Sequence, residues 1–318
     1  MKYIRLKTTD PYLNLAIEEH LFNTADDDIF MLWQNEPTVV IGKNQNAYAE
    51  VDLAYAKENG IHVCRRITGG GTVYHDLGNV NYTFITSKEK AEALDYEYFT
   101  KPIIDALAAL GLHAELSGRN DLLCEGKKFS GNAQHTSNGK ILHHGTLLFD
   151  TDAEVMSAVL KTDKEKLEYN AVRSHKSRVT NLKALLEDSF TIEEFINAIE
   201  NAVANEAVLA VPPAASEIEE LYKRNTSDEW IYGNKRYLTG YSVTRRKKYP
   251  FGIVSVELKL NKDVIESIVI SGDFFGTRPV EELEKMLVGK SVDTLSPFDP
   301  SPFIDKMTFD ELKELLKN

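Results

Sequence analysis

The stretch Arg65–Asp76 contains residue types that are suited to holding an anionic ligand. It reads Arg-Arg-Ile-Thr-Gly-Gly-Gly-Thr-Val-Tyr-His-Asp, with alternating apolar residues on both sides of the three glycines. Glycine can adopt positive φ and bring backbone N–H groups close to a ligand, and the guanidinium groups are forked donors for phosphate or carboxylate. The pattern predicts an anion-binding loop between two strands. A Gly-rich hairpin with solvated arginines is the alternative, because glycine-rich stretches alone are weak signals.

A second candidate is the segment Lys127–Ala133, which reads Lys-Lys-Phe-Ser-Gly-Asn-Ala. Side chains alternate along a strand, so Lys127 and Lys128 are predicted to point to opposite faces, with Ser130 on the face of Lys128. A lysine amine beside small residues has room for a bulky anion, and its three donors suit a phosphoryl group. An exposed strand lysine without a ligand is the alternative.

Histidines and cysteines give little support to a metal site or a disulfide. His143 and His144 are adjacent on a predicted strand and face opposite sides, so they cannot chelate one zinc ion as a pair. A histidine that lines a pocket is the better interpretation. Cys64 and Cys124 lack metal-type spacing, and their small number fits a reducing compartment. We expect both to be small buried residues.

Two familiar nucleotide-binding motifs and one hydrolase motif do not occur in the sequence. No Gly-x4-Gly-Lys-Ser/Thr loop is present, and a Gly-x-Gly-x-x-Gly motif that started at Gly69 would need glycine where Tyr74 stands. No Gly-x-Ser-x-Gly elbow is present either. The P-loop, Rossmann and serine-hydrolase interpretations therefore lose support.

Composition narrows the function classes further. The 318-residue chain has a formal net charge of −12, with 42% apolar and 27% charged residues, as in an ordinary globular protein. Nucleic acid and anionic membranes both require a basic surface. No apolar run approaches the roughly 20 residues of a membrane helix, and the first residues lack the apolar core of a secretory signal. We expect a cytoplasmic protein that binds neither nucleic acid nor membrane.

Periodicity near the N-terminus predicts an amphipathic helix. Leu13, Ile17 and Leu21 fall on one helical face, and Glu18 and Glu19 fall on the other. The two glutamates are therefore expected on the polar side of this helix.

The remaining pattern predicts an α+β fold. Ile29–Trp33 and Thr38–Ile41 are rich in β-branched and aromatic residues and are expected to form a hairpin. The Asn-Gly pair at 138–139 is a strong signal for a second hairpin. Strands arrive in antiparallel pairs with helices at irregular intervals, so we predict a mixed, largely antiparallel sheet with flanking helices.

Length and a composition shift indicate two domains, 1–245 and 246–318. The shift is the basic run Thr244–Pro250, which is more typical of a linker or a solvated strand edge than of a binding site. Beyond it, two strands and two helices form a small α+β unit that needs docking for stability. Lys161–Arg178 is polar and basic, and it is either a mobile loop or a plain solvated connection.

Taken together, five motifs resemble the lipoate-protein ligase A family. The resemblance spans Asn14 to about Trp230, whereas the C-terminal unit is similar only in size and position. The motifs are Arg65–Asp76 with Gly78-Asn79, Gly118–Asp121, Lys128–Ala133, His143–Thr146 and Arg178–Leu182.

The resemblance implies a biotin/lipoate ligase-like fold and a two-step reaction. Lipoate and Mg-ATP would give lipoyl-AMP and pyrophosphate, and a lysine of a lipoyl domain would then attack the mixed anhydride to form an amide. Lys128 would bridge the carboxylate and the α-phosphate as charge develops. Asp121 would hold the Mg²⁺ ion. The implied nucleotide-binding residues are Arg66, Gly71, Thr72, Val73, Tyr74, Asn79, Lys128 and Arg178.

The same resemblance implies a dry slot for the dithiolane and acyl chain, as expected for an apolar ligand with one polar end. Ordinary core packing is the alternative for Leu15, Ile17 and Val40. The implied lipoate-binding residues are Leu15, Ile17, Trp33, Val40, His75, Lys128 and His144.

The implied acceptors are the lipoyl domains of 2-oxoacid dehydrogenase E2 subunits and the glycine cleavage H protein, and a monomer is expected. Two alternatives remain. A lipoyl or octanoyl transferase of the same fold would need a thiolate in the pocket. In this chain no cysteine follows Cys124 in the sequence. A non-catalytic paralogue would only bind lipoyl domains. Biotin ligases are a weaker match because their Gly-rich motif is ordered differently.

Overall fold

The computed structural model describes residues 1–118, 120–161, 179–233 and 241–317. The chain divides into two compact units. The first comprises Met1–Val40, Val51–Cys64 and Val73–Thr226, and the second comprises Ile41–Glu50, Arg65–Thr72 and Ser227–Asn318. The predicted loop Lys161–Arg178 lies, apart from Lys161, outside the described residues.

An eight-stranded sheet dominates the first unit, in the order β11-β1-β2-β6-β10-β9-β8-β7. β1 runs parallel to both of its neighbours, and the other pairs are antiparallel. The prediction of a mixed, largely antiparallel sheet in an α+β fold is therefore confirmed. Its strands are β1 Lys2–Arg5, β2 Ile29–Trp33, β6 Asn79–Ser87, β7 Ala114–Ser117, β8 Asp121–Cys124, β9 Lys127–Ser137, β10 Lys140–Leu148 and β11 Val208–Leu209.

A separate three-stranded sheet has the order β4-β3-β5, with β3 Thr38–Ile41, β4 His62–Arg65 and β5 Val73–His75. The predicted hairpin of β2 and β3 is wrong, because β2 already pairs with β1 on one side and β6 on the other. The Asn-Gly hairpin is confirmed between β9 and β10, where both turn residues have positive φ.

Helices cover both faces of the large sheet. Helix α1 (Pro11–Thr24) begins after Asp10, whose carboxylate accepts two backbone N–H groups of the first turn. It packs against β6 and β10, and we call the sheet face that it covers the α1 face. Helices α4 (Tyr96–Ala109) and α6 (Ile192–Ala204) bury their apolar residues on the opposite face, around a core that includes Phe84 and Phe149.

Shorter helices complete the first unit, and α7 packs against α1. They are α3 Leu53–Glu58, α5 Ala153–Val159, a 3₁₀ helix Leu182–Leu185 and α7 Ala215–Asn225. Among the helices of the described ranges, none is both long enough and apolar enough to cross a membrane.

The second unit contains an antiparallel sheet, β12-β13-β14, packed against two amphipathic helices. The predicted boundary between residues 245 and 246 stays a prediction, and residues 243–249 form β12. The elements are α2 Ala47–Glu50, α8 Asp228–Tyr232, β12 Val243–Tyr249, β13 Gly252–Asn261, β14 Val264–Gly272, α9 Val280–Leu287 and α10 Phe309–Lys317.

Candidate functional site

A β-bulge lies next to Lys128. Lys128 of β9 pairs with Leu123 of β8, but the next pair is Ser130 with Leu122, so Phe129 is the extra residue. Leu122 and Leu123 face opposite sides of the sheet, and cross-strand partners share a face. Lys128 and Ser130 therefore lie on opposite faces, and the prediction that they share one is wrong.

Lys128 instead shares its face with Asp121 and Gly131. Its Nζ atom lies 2.8 Å from Asp121 Oδ1, and about two-fifths of each side chain is exposed. A Cβ on Gly131 would lie 3.3 Å from the same Nζ. The missing side chain at Gly131 thus leaves room for the amine. The main chain of Lys128 also accepts a hydrogen bond from Thr180 N, at 2.8 Å.

The sheet register shows which residues of the neighbouring strands share the face of Lys128. Asp121 pairs with Gly131, and Ala133, two residues further along β9, pairs with His144 of β10. Because residues two apart share a face, Lys128, Asp121 and His144 all lie on one side of the sheet. That side is the α1 face, since Glu18 of α1 contacts His144.

The same register adds β6 and β2. His144 pairs with Thr83, Thr146 pairs with Asn81, and Asn81 pairs in turn with Trp33. Asn79, two residues from Asn81, completes the set. The structure thus brings five predicted site residues onto one face: Lys128, Asp121, His144, Trp33 and Asn79.

A chain of buried hydrogen bonds links two predicted slot residues. Trp33 Nε1 donates to Thr83 Oγ1 at 3.0 Å, and Thr83 donates to Glu18 Oε1 at 2.6 Å. Glu18 also lies 3.0 and 3.1 Å from His144 Nδ1. Glu18 is only 1% exposed, so the expectation that it lies on the polar side of α1 is wrong. Its two partners offset the cost of burying a carboxylate.

The other predicted slot residues are also buried. Leu15 and Ile17 lie on α1, and Val40 lies on β3. His75 of β5 has its Nδ1 3.1 Å from Asn35 Nδ2, and its ring packs against Trp33. Sequence reasoning missed Glu18 and Asn35, and their burial depends on partners distant in the chain.

Two asparagines on the α1 face are joined by a hydrogen bond between their side chains. Asn79 Nδ2 donates to Asn81 Oδ1 at 2.9 Å, and both residues are almost completely buried. Within the described residues, Asn79 Oδ1 and Asn81 Nδ2 have no hydrogen-bond partner. The pair therefore presents one spare acceptor and one spare donor. Burying such atoms is costly unless a ligand or water satisfies them.

The glycine loop belongs to the second unit up to Thr72, and Arg66 gives it its shape. The Arg66 guanidinium donates to Thr68 Oγ1 at 2.8 Å and to the carbonyl oxygens of Gly69 and Gly71 at 2.8 and 2.7 Å. The Arg66 guanidinium thus binds three acceptors of the same loop and fixes the loop conformation. The prediction of a loop between two strands, β4 and β5, is confirmed.

Close backbone contacts require glycine in and near this loop. Gly70 has φ +89°, and its N–H donates to Phe274 O at 3.4 Å. A Cβ on Gly69 would lie 2.6 Å from the same carbonyl oxygen. On the neighbouring turn, a Cβ on Gly42 would lie 2.1 Å from Gly70 O. Side chains at these positions would displace the loop.

Gln45 is a loop-positioning residue that the sequence did not reveal. Its Oε1 accepts hydrogen bonds from Gly42 N and from Thr72 Oγ1, both at 2.9 Å. Gln45 is buried, so these contacts fix the Thr72 side chain.

The chain continues from Thr72 into β5 of the first unit. Val73 and Tyr74 pair with Val40 and Val39 of β3. Burial raises the pKa of the Tyr74 hydroxyl, and the nearby carboxylate of Asp76 adds to this. Arg178, the remaining predicted nucleotide ligand, lies outside the described residues.

Family models match most of the chain. A model of the lipoyl protein ligase A/B catalytic domain matches residues 10–204, and one of the bacterial lipoate protein ligase C-terminus matches residues 239–317. Lipoate-protein ligase LplJ of Bacillus subtilis is 39% identical over 294 residues, which are 89% of this chain and 88% of the relative. Lipoate–protein ligase 1 of Staphylococcus aureus is 36% identical over 297 residues, 91% and 90% of the two chains.

The chain belongs to the lipoate-protein ligase family. The predicted resemblance and the prediction of an enzyme of this class are confirmed. The second match extends the resemblance, because the C-terminal unit is also a family domain and is not similar in size and position alone.

Three solved structures share the ligase fold. A bipartite lipoate protein ligase, described with its E2 lipoyl domain, from Thermoplasma acidophilum is 29% identical, with a TM-score of 0.63 over 76% of this chain and 98% of that one. Ta0514 of T. acidophilum with bound lipoic acid and a lipoate-protein ligase A bound with ATP are each 28% identical. Both have TM-scores of 0.61 over 73% of this chain and 98% of theirs.

The ligase has no accessible thiol. Cys64 and Cys124 are both buried, and burial raises the pKa of each sulfhydryl. A protonated, buried thiol is a poor nucleophile. The cysteine-dependent transferase alternative therefore loses support.

Asp121 fits a magnesium site that the substrate completes. Mg²⁺ is usually held by one or two carboxylates together with substrate phosphates. Asp121 supplies one partly exposed carboxylate next to the Lys128 amine. Within the described ranges, no cluster of three or more His, Cys, Asp or Glu side chains could hold a metal ion. Any magnesium at Asp121 would therefore need oxygen ligands from the nucleotide.

Proposed function

We propose that this ligase activates lipoate with Mg-ATP and transfers the lipoyl group to a lysine of a lipoyl domain. In the first step, a lipoate carboxylate oxygen attacks the α-phosphorus, and pyrophosphate leaves with the electron pair of the broken P–O bond. In the second, the acceptor amine attacks the acyl carbon, the C–O bond to phosphate breaks, and AMP leaves. The amine loses one proton to the solvent.

One observation carries this proposal: Lys128, Asp121 and Asn79 share the α1 face with the buried Trp33 and His144. The Lys128 amine, the Asp121 carboxylate and the spare acceptor of Asn79 thus lie on the sheet face that also carries two buried rings, the Trp33 indole and the His144 imidazole. Lipoate itself is an apolar ring and chain that ends in one carboxylate. This distribution of polarity matches the distribution on the sheet face.

Lys128 is the proposed catalytic residue. Its amine would leave Asp121 for the carboxylate and α-phosphate oxygens, and would stabilise negative charge as AMP leaves in the second step. A flexible lysine stem suits this task because the phosphoryl group moves during the reaction. Asp121 would then be released to bind Mg²⁺ with the nucleotide phosphates, a role that its position beside Lys128 supports.

The proposed nucleotide ligands include the loop amides and Asn79. Arg66 shapes the loop whose N–H groups would face phosphate oxygens, and the spare Asn79 acceptor suits the amino group of adenine. Arg178 would fold over the adenylate. The ATP that is bound to the related ligase A supports a nucleotide here. The proposed set is Arg66, Gly71, Thr72, Val73, Tyr74, Asn79, Lys128 and Arg178.

The proposed lipoate slot is lined by Leu15, Ile17, Trp33, Val40, His75 and His144, with Lys128 at the carboxyl end. The buried Glu18 would hold the His144 ring in one orientation. The lipoic acid bound to Ta0514 supports this ligand.

The proposed acceptors are E2 lipoyl domains of 2-oxoacid dehydrogenases and the glycine cleavage H protein. The E2 lipoyl domain described with the T. acidophilum ligase supports the first. A monomer and a cytoplasmic location stay predictions, as does the absence of nucleic-acid and membrane binding.

Mass spectrometry of a lipoyl domain tests the proposal. Incubation with the full chain, lipoate and Mg-ATP should add one lipoyl group to one lysine, and omission of any one component should prevent this. Lipoate-dependent exchange between ATP and pyrophosphate should accompany it. Modification without ATP from an octanoyl carrier would indicate a transferase. Binding of the lipoyl domain without exchange or modification would indicate a non-catalytic binder, and either result contradicts the proposal.

A further inference from the structure

The α1 face, which carries Lys128, also contains a buried hydrogen-bond donor that has no role in the proposed reaction. Asn81 is 2% exposed, and its Oδ1 accepts from Asn79, so its Nδ2 is the remaining polar atom. That nitrogen has no hydrogen-bond partner within the described residues. Because an unsatisfied buried donor is destabilising, its presence is better explained by a ligand than by folding.

Other polar groups near Asn81 already have protein partners. The Trp33 indole donates to Thr83, and Thr83 donates to Glu18. Thr146 Oγ1 accepts the N–H of Gly131 at 3.1 Å. Of the two unpartnered atoms of the asparagine pair, Asn79 Oδ1 is an acceptor, and Asn81 Nδ2 is the spare hydrogen-bond donor.

Register places this donor opposite the lysine amine. The Lys128 amine lies above Gly131 of β9, and β10 with Thr146 separates Gly131 from Asn81 of β6. Two strand spacings amount to about 10 Å. If the Lys128 and Asn81 side chains reached toward each other over Thr146, a carboxyl group with one hydrogen bond on each side would fill the space between them.

We propose that Asn81 binds the carboxyl group of lipoate, donating from Nδ2 to one oxygen while Lys128 contacts the other. This inference rests on the proposed function and adds a residue to its site. Both carboxylate oxygens are acceptors, which a spare N–H donor matches, whereas dithiolane sulfur is a weak acceptor. After activation, the same oxygen is the acyl carbonyl oxygen, and the donor faces it as charge builds during amine attack.

Direct binding without ATP tests this role. The ligands are lipoate and the primary alcohol obtained by reduction of its carboxyl group, and affinities are measured by calorimetry on the full chain. Asn81→Asp keeps the shape but removes the N–H donors, so it should weaken lipoate binding roughly tenfold to a hundredfold. Binding of the alcohol should change less than about threefold, because the alcohol lacks the carboxylate charge.

Asn81→Leu is the second variant, because it avoids a buried charge should Asn81→Asp fail to fold. The matched control is Thr86→Val, which removes a partly buried hydrogen bond of β6, to Asp28, but lies outside the proposed site. This control should lower the thermal midpoint without changing the ratio of lipoate to alcohol affinity. A purely structural role of Asn81 predicts the same pattern for all three variants.

Two outcomes overturn the role of Asn81. The first is an unchanged lipoate-to-alcohol ratio in Asn81→Leu. The second is a change in the ratio of lipoate to octanoate affinity in the Asn81 variants, with no change in the ratio of lipoate to alcohol affinity. Because octanoate lacks the dithiolane, this result would place the Asn81 donor at the dithiolane ring. A wild-type chain that binds lipoate but shows no pyrophosphate exchange contradicts the adenylation step alone. One that binds no lipoate overturns both proposals.

Discussion

The ammonium group of Lys128 lies 2.8 Å from Oδ1 of Asp121, and both side chains are more than one-third exposed. An ion pair that solvent reaches adds little to folding, at most about 1 kcal/mol. The bulge at Phe129 nevertheless keeps the lysine on the same face as Asp121, His144 and Trp33. The pair is thus better suited to chemistry than to stability, because the amine can exchange a carboxylate for a phosphate at low cost.

Replacement of Lys128 by alanine should abolish lipoate-dependent pyrophosphate exchange, with a loss of at least about 10²-fold, because one preorganised cationic donor is removed. The free energy of unfolding should fall by less than about 1 kcal/mol. Lys127→Ala is the matched control, since Lys127 is exposed and adjacent. Full exchange activity in Lys128→Ala would refute the assignment.

Asp121→Asn should raise the Mg²⁺ concentration needed for half-maximal exchange, because a neutral amide is a weaker magnesium ligand than a carboxylate. The measurement is a Mg²⁺ titration at fixed ATP. Asp150→Asn provides the control, because Asp150 forms a similarly exposed ion pair with Lys183. An identical Mg²⁺ dependence in both variants would remove Asp121 from the metal site.

Much of the fold and part of the site could be predicted from sequence. Local signals sufficed where the structure depends on neighbours in the chain, as in the glycine loop and the Asn-Gly hairpin. They failed for Glu18, whose partners Thr83 and His144 are 65 and 126 residues away. A helical wheel shows only that Glu18 leaves the apolar stripe, not that a sheet supplies hydrogen-bond partners there.

The bulge and the loop supports were missed for a related reason. Alternation assigns Ser130 to the face of Lys128, but the extra residue Phe129 reverses that assignment, and only the pairing with β8 reveals it. Gln45 is likewise an ordinary polar residue until the fold brings Gly42 and Thr72 to its side-chain oxygen.

Gly42→Ala should reduce pyrophosphate exchange strongly, because the new Cβ would lie 2.1 Å from Gly70 O and displace the glycine loop. Binding of lipoate without ATP should change little, which separates a loop defect from misfolding. Gly289→Ala is the control, since a Cβ there meets no atom within 4 Å, although the positive φ of Gly289 strains the backbone in the variant. Equal loss of exchange in both variants would contradict a specific effect on the loop.

Both cysteines should be dispensable. A Cys64→Ala, Cys124→Ala double variant removes two small buried side chains and should lose about 1 to 3 kcal/mol of stability in total. At a temperature where it stays folded, it should lipoylate the acceptor at a rate within about threefold of wild type, because no step needs a thiolate. Loss of transfer with intact folding would instead support a thioester intermediate.

His143 should make the ligase sensitive to acid. Its ring is fully buried, stacks on Phe99 with ring centroids 4.8 Å apart, and contacts Gln134 and Asn132. Burial lowers the pKa of His143 well below 6.5, and the nearby His144 adds to this. Below pH 6.5 His143 therefore binds a proton in the unfolded chain but stays neutral in the folded chain. The free energy of unfolding falls as the pH drops, by up to about 1.4 kcal/mol per pH unit.

Urea unfolding at pH 7, 6 and 5 tests this role of His143. The free energy of unfolding should decline less with falling pH for His143→Gln than for wild type, although the variant is less stable at pH 7. Parallel declines would mean that His143 does not carry the acid sensitivity.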